Sequence, residues 1–462
     1  MYYIYQSKKK KMNKKFIISL ILSIGTISIT LSQSLERQFD QLLNQEFPSS
    51  GTGASALVIV DGEIIYHKAF GKANLELNVD MSTNNIFEIG SNTKQFTAVA
   101  IMMLAEQGKL NLNDTITKYF NDYPTHGHTI KLHHLLSHTS GLASFTSSDE
   151  WYENRNNEMT QEEFMNLFKK TPMLFAPGEK YYYSNTGYFL LGMIIEKISE
   201  KPYNDYIDEN IFKKVGMKNS TFMNKHKIIK NRAMGHDKIK DKFIKSDEML
   251  DSHAYSAGAI LSTTYDLYLW NRAIVQNKLI SKESKKLAFT NYETSNGKYA
   301  NYGYGWAINE INGTSTIEHS GGTFGSLSNL IYLPENDVFV VLLSNCVCSS
   351  TDFISTKMAA IAINKPYDNS KINKTKISSG FKEEFVGTYK FDNGSTRVIT
   401  KENNQFFSQL TNRDKTEIYP SGNNTFYYEK NLIKLTFKMD ESNNPILLYK
   451  NRIYEMLGKK VE

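Results

Sequence analysis

Cysteine is almost missing from this chain of 462 residues: only Cys346 and Cys348 occur. Two thiols are too few to hold a metal ion alone. They supply no framework of crosslinks, so stability must come from a buried core. In an extended segment, residues two apart point to one face with their Cα atoms near the upper limit for a bridge. The pair is therefore expected to stay unbridged. A basic surplus is missing too, once its source is located. The formal charge is +6, but residues 1–34 hold Lys8, Lys9, Lys10, Lys11, Lys14 and Lys15 and no acid. The rest of the chain is formally neutral, which gives no reason to expect a nucleic-acid partner. No repeat of fixed period is visible either.

Long apolar stretches are confined to the leader. A lysine cluster precedes an apolar run from Phe16 to Leu31, and Ser32, Gln33 and Ser34 follow. The run is short for a spanning helix and carries Ser19, Ser23, Thr26, Ser28 and Thr30. Residues 1–33 are therefore expected to be a cleaved signal peptide, leaving a secreted or periplasmic protein with no stable membrane span. Met12 would serve equally well as the start, since Lys14, Lys15 and the apolar run follow it. No cysteine lies near residue 33, which argues against a lipid anchor.

What is present is globular in texture. The chain is 40% hydrophobic, 22% charged and 12% aromatic. That is apolar enough for a large core and long enough for more than one domain. Leu35, Phe39, Leu42 and Leu43 mark one face of a helix over Leu35–Phe47. Ala54–Val60 and Glu63–Phe70 flank Asp61-Gly62, a tight hairpin signal. A mixed region runs to residue 364, and residues 365–380 are polar enough to read as a linker. From Phe381 the texture changes to short aromatic and β-branched segments. These are Val386–Phe391, Thr396–Lys401, Gln405–Leu410, Thr425–Tyr428, Leu432–Lys438 and Pro445–Lys450, separated by Asn- and Gly-rich turns. This spacing predicts a small antiparallel barrel or sandwich over 381–462.

Three local patterns carry chemistry. Ser91 and Lys94 stand three apart at the start of an apolar-periodic stretch closed by Gly108. That reads as a helix with both side chains on one face. A serine there meets peptide N–H groups that favour developing negative charge, and a partly buried lysine accepts a proton more readily. Alone, the pattern is equally that of a helix cap. Tyr183-Ser184-Asn185 precedes a second apolar run and offers a phenol for proton relay and an amide for a substrate carbonyl. Taken in isolation it is a tyrosine-rich turn. His319-Ser320-Gly321-Gly322 lies before the extended runs Leu327–Leu333 and Val338–Leu343. Its glycines would allow close backbone approach to a ligand; otherwise it is a turn between strands.

Together and in this order, the three resemble the serine β-lactamase and penicillin-binding superfamily, whose motifs are Ser-x-x-Lys, Tyr-x-Asn and Lys-Thr-Gly or a variant. The Tyr-x-Asn form is similar to the class C and D-alanyl-D-alanine carboxypeptidase branch. Leu135–Leu142, Ala257–Thr263 and Tyr302–Trp306 agree with it, so the likeness spans roughly residues 35–364. The tail resembles a lipocalin-like barrel. The resemblance implies an α/β (α+β) fold. Helices flank an antiparallel sheet of about five strands, with an all-helical insert, followed by a small all-β barrel. The expected parts are a hydrolase domain over 34–364, a linker over 365–380 and a barrel over 381–462.

Carried over by position, Ser91 is the nucleophile, and Lys94 and Tyr183 share the acid–base work. Asn185 and His319 meet the substrate. The backbone of Gly321 and Gly322 lines the site, and the Ser91 and Gly322 N–H groups form the oxyanion hole. His319 stands where many relatives carry lysine. Histidine lacks a lasting charge for a carboxylate, which favours esters, amides or D-amino-acid peptides over β-lactams. A true β-lactamase and a non-catalytic cell-wall binder are the alternatives. The expected partner is a small-molecule or peptide substrate, cell-wall peptides included, with no cofactor. His126, His128, His133, His134 and His138 cluster in sequence, but their spacing does not match a zinc site.

Overall fold

The structure, a computed structural model, describes residues 34–367, 383–391, 395–403, 405–411, 414–422 and 424–461. The expected leader and residues 368–380 of the expected linker lie outside these. Among the described residues no helix is long and apolar enough to cross a membrane.

The first domain is built on a six-stranded antiparallel sheet, one strand more than expected. Its strands are β1 (Ala54–Val60), β2 (Glu63–Phe70), β3 (Ala307–Ile311), β4 (Thr314–Gly322), β5 (Leu327–Leu333) and β6 (Val338–Ser344), in the order β3-β4-β5-β6-β1-β2. The β1–β2 hairpin turns at Asp61 and Gly62, both at positive φ, as a two-residue turn of matching twist requires. β1 and β6 are central and almost wholly buried. Their alternate residues therefore feed two cores. Ala54, Ala56 and Val58 pack with α1 (34–46) and a C-terminal helix, through Phe39, Leu43, Ile354 and Met358. Leu57 and Ile59 face the larger core that holds α2 (Thr93–Glu106) and α3 (Asn185–Ser199). Helical segments fill most of the chain between Thr93 and Val215, so the helical insert is present. A further helix, α4 (Asp251–Gly258), packs on both α2 and α3.

The C-terminal domain is a closed barrel of eight antiparallel strands around Tyr389, Phe391, Phe406, Phe426, Phe437 and Leu447. Two of the strands, Thr416–Pro420 and Tyr454–Lys460, are absent from the sequence reading. The second closes the barrel against Gly387–Phe391, with Gly458 opposite Phe391. A side chain at Gly458 would start 3.0 Å from the Phe391 ring, so the residue that weakens the strand signal also eases the packing at the closing seam.

The cysteines depart from expectation. Cys346 and Cys348 form a disulfide with Cα atoms 5.1 Å apart. β6 ends at Ser344 and the chain turns, the Cys348 N–H donating to Cys346 Sγ. The segment is not extended, which removes the premise for an unbridged pair.

Candidate active site

Ser91 sits in a single 3-10 turn, Gly90–Asn92, that leads directly into α2. Gly90 has φ +52° and lies against β4: a Cβ there would fall 2.6 Å from the Gly322 nitrogen. A Cβ on Gly321 would fall 2.0 Å from the Ile89 carbonyl and 2.9 Å from the Ser91 nitrogen. Both glycines are thus required for the turn and the strand to approach as backbones. Ser328 on β5 fixes the junction, donating to Ile89 O at 2.7 Å and accepting from Asn92 Nδ2 at 2.8 Å. Ser91 is half-buried and Gly322 exposed, so the site opens at this junction.

Lys94 is fully buried one helical turn on. Its Nζ lies 3.0 Å from Ser91 Oγ and donates to the Ala257 carbonyl at 2.8 Å. Burial holds its pKa well below the usual lysine value. An amine held toward its neutral form by burial can donate to Ala257 and still offer a lone pair to the Ser91 hydroxyl, as a general base must. The Tyr183 ring lies 4.9 Å from Lys94 Nζ, and among the described residues its buried hydroxyl has no hydrogen-bond partner of good geometry. Burial raises the Tyr183 phenol, with the Ser91 side chain acting in the opposite direction. Asn185 opens α3; its Nδ2 donates to Thr146 Oγ1 at 3.0 Å and its N–H to Ser144 Oγ.

The structure therefore brings Ser91, Lys94, Tyr183, His319, Gly321 and Gly322 to one place. His319 is tied into the protein through both ring nitrogens. It is 5% exposed. Its Nδ1–H donates to the Ser320 carbonyl, which leaves Nε2 to accept from the Tyr302 hydroxyl at 2.8 Å. Burial, then repulsion by Lys94, pushes it down to about 3. The ring has no N–H left for a substrate oxygen, and it acts by anchoring Tyr302 to β4.

Two residues of the site were not assigned roles from sequence. Tyr302 comes from the stretch Tyr302–Trp306, and His138 from Leu135–Leu142. The His138 ring lies 4.2 Å from Tyr183 and 4.6 Å from Tyr302. Its Nδ1 accepts from the Ser184 N–H. The other clustered histidines are used separately, His133 with the Tyr304 hydroxyl and His134 with the Lys131 N–H.

Comparison with known proteins agrees with this geometry. The chain is 29% identical over 426 residues to penicillin-binding protein 4* of Bacillus subtilis, covering 87% of this chain and 92% of that one. A solved octameric penicillin-binding protein homologue from Pyrococcus abyssi superposes with a TM-score of 0.68 at 25% identity, over 92% of this chain and 99% of the other. A D-amino acid amidase from Ochrobactrum anthropi, solved with L-phenylalanine amide, gives 0.60 at 26% identity over 68% and 91%. The Beta-lactamase family model matches residues 37–364, and the chain belongs to that family of serine hydrolases.

Proposed function

We propose that this protein is an exported hydrolase that forms an acyl-enzyme on Ser91 and cleaves small esters, amides or D-amino-acid-containing peptides. The observation that carries the reading is the 3.0 Å approach of a fully buried Lys94 amine to Ser91 Oγ. Ser91 Oγ attacks the substrate carbonyl as its proton passes to Lys94 Nζ. The carbonyl oxygen becomes negative between the Ser91 and Gly322 N–H groups, where no reorganisation is needed. Tyr183, beside Lys94, passes the proton to the leaving group, and Asn185 orients the substrate amide. Water then hydrolyses the ester by the reverse proton path.

The neutral, fully bonded His319 favours substrates whose recognition does not need a carboxylate. The lysine-rich leader supports export, and an oxidised Cys346–Cys348 pair fits a compartment outside the cytosol. The test is a panel of short acyl esters, D-aminoacyl amides, D-Ala-D-Ala peptides and a chromogenic cephalosporin, with intact-mass detection of a fluorophosphonate adduct. Ser91→Ala should lose both adduct and turnover, the latter by several orders of magnitude. Turnover unchanged in a folded Ser91→Ala protein would overturn the mechanism.

A further inference from the structure

The barrel's last hairpin is pressed against the hydrolase domain. It consists of Pro445–Asn451 and Tyr454–Lys460, and its tip, Arg452-Ile453, bonds to β3 and β4 through Arg452 and the Ile453 N–H. Beside this contact the two domains stand apart and leave a cleft of about 600 Å³. That is the size of a site for a drug-sized ligand. The barrel contributes Leu448, Ile453, Tyr454, Met456 and Leu457 to one wall. The hydrolase domain contributes Tyr181, Tyr299 and Ile308 opposite.

Two observations separate this cleft from an ordinary gap between domains. First, large apolar side chains remain exposed in it: Tyr299 is 60% exposed, Tyr454 44%, Leu457 41% and Tyr181 36%. Exposed apolar groups that converge on a concave surface mark a binding site more often than a packing fault. Second, the cleft borders the segment that carries Tyr183. Tyr181 lines it and stands two residues before Tyr183. The Tyr181 ring lies 6.0 Å from Tyr302, which lies 6.3 Å from Tyr183 and bonds His319.

We propose that the cleft binds the part of the substrate remote from the scissile bond, and that it takes an apolar or aromatic group carried on a flexible chain. The substrate would then be read by both domains: Ser91 and its neighbours act on the carbonyl, and the barrel selects what is attached to it. This rests on the hydrolase reading, so its test has one arm that needs turnover and one that does not.

In the first arm, kcat/KM is measured on the full chain for three esters. One is small, one carries a phenylbutyl extension on the acyl side, and one carries it on the alcohol side. Tyr454→Ala and Tyr299→Ala should lower kcat/KM about 10-fold for one extended ester and leave the small ester within about 2-fold. Tyr454→Leu, which keeps an apolar wall, should recover most of the loss. In the second arm, binding of 1-anilinonaphthalene-8-sulfonate is followed by fluorescence on the Ser91→Ala protein. The same alanine substitutions should weaken it about 5-fold or more. Weakened dye binding in a protein that hydrolyses nothing would retain the cleft and remove the hydrolase reading. Equal effects on all three esters, with unchanged dye binding, would overturn the cleft while leaving the hydrolase intact.

Discussion

Arg452 offers the sharpest test of how the two domains are joined. It sits at positive φ in the hairpin turn, its side chain 4% exposed. It reaches Glu318 on β4 with both terminal nitrogens, at 2.5 and 2.8 Å. Nη2 also donates to Thr316 Oγ1 at 3.0 Å and Nε to the Glu310 carbonyl at 2.6 Å. Glu318, 9% exposed, accepts further bonds from Asn309 and Thr316. Asp352 lies close enough for Glu318 to add to the upward shift that burial gives it. Arg452→Met would leave a buried carboxylate beside a second acid with no cation. Breaking a buried pair from one side costs about 3–5 kcal/mol, a large part of the ~5–15 kcal/mol that holds a domain. Removing the charge from both sides should be far milder, so Arg452→Met/Glu318→Gln should recover most of the loss. Trp151, Trp270 and Trp306 all lie in the hydrolase domain, so their fluorescence reports it alone during urea unfolding. Arg452→Met within about 1 kcal/mol of wild type, or a double variant as unstable as the single, would refute a latch that acts through buried charge.

Lys94→Met should abolish acylation yet raise stability at neutral pH, because it removes a buried amine. The sign follows from the lowered pKa: the unfolded chain binds more protons between the folded value and 10.5, so the wild type gains stability as pH rises through that window. The advantage of Lys94→Met should therefore shrink between pH 7 and pH 10 in urea titrations, and a pH-independent difference would contradict burial as the cause. Thiol titration of the unreduced, denatured protein should find no free thiol, and two after reduction. Because the closed loop is so short, Cys346→Ser/Cys348→Ser should cost no more than about 2 kcal/mol in the same urea assay.

The parts of the site that were legible from sequence are local ones. The spacing of Ser91 and Lys94 needs only one helical turn to become a contact, and the apolar period after it announces that turn. Tyr183, Asn185, His319 and Gly322 have no such local warrant. Their roles came from family resemblance, because strand β4 meets the Ser91 turn across more than 200 residues of chain. The barrel was legible where strands alternate and turns are explicit, as at Asn403, Asn424 and Asn443, all at positive φ. It was hidden at Thr416–Pro420, which carries a glutamate and a proline, and at Tyr454–Lys460, which carries a glycine and two lysines. Arg452 had no signal at all, since a lone arginine in a hairpin turn is ordinarily solvated. Only the tertiary contact, 134 residues from Glu318, gives it meaning.

The histidine at position 319, where the family resemblance implies a lysine in many relatives, acquires its physical sense from its neighbours. Lys94, His138 and His319 are three basic side chains in one buried cluster. Burial lowers all three, and Lys94 lowers both histidines further, with His319 adding to the effect on His138. A lysine at 319 would add a second amine beside the base, and either its charge or that of Lys94 would have to be suppressed. Histidine avoids the conflict because it stays neutral while holding Tyr302 through Nε2 and the Ser320 carbonyl through Nδ1. Burial thus works against positive charge on all three groups. A site where burial disfavours positive charge offers a substrate carboxylate little attraction. In the proposed reading it offers instead the Ser91 and Gly322 N–H groups and, beyond Tyr181, the apolar cleft against the barrel. In the proposed reading, selection rests on apolar contact in the cleft rather than on charge beside the reacting bond, and the Arg452–Glu318 contact holds the two walls of that cleft together.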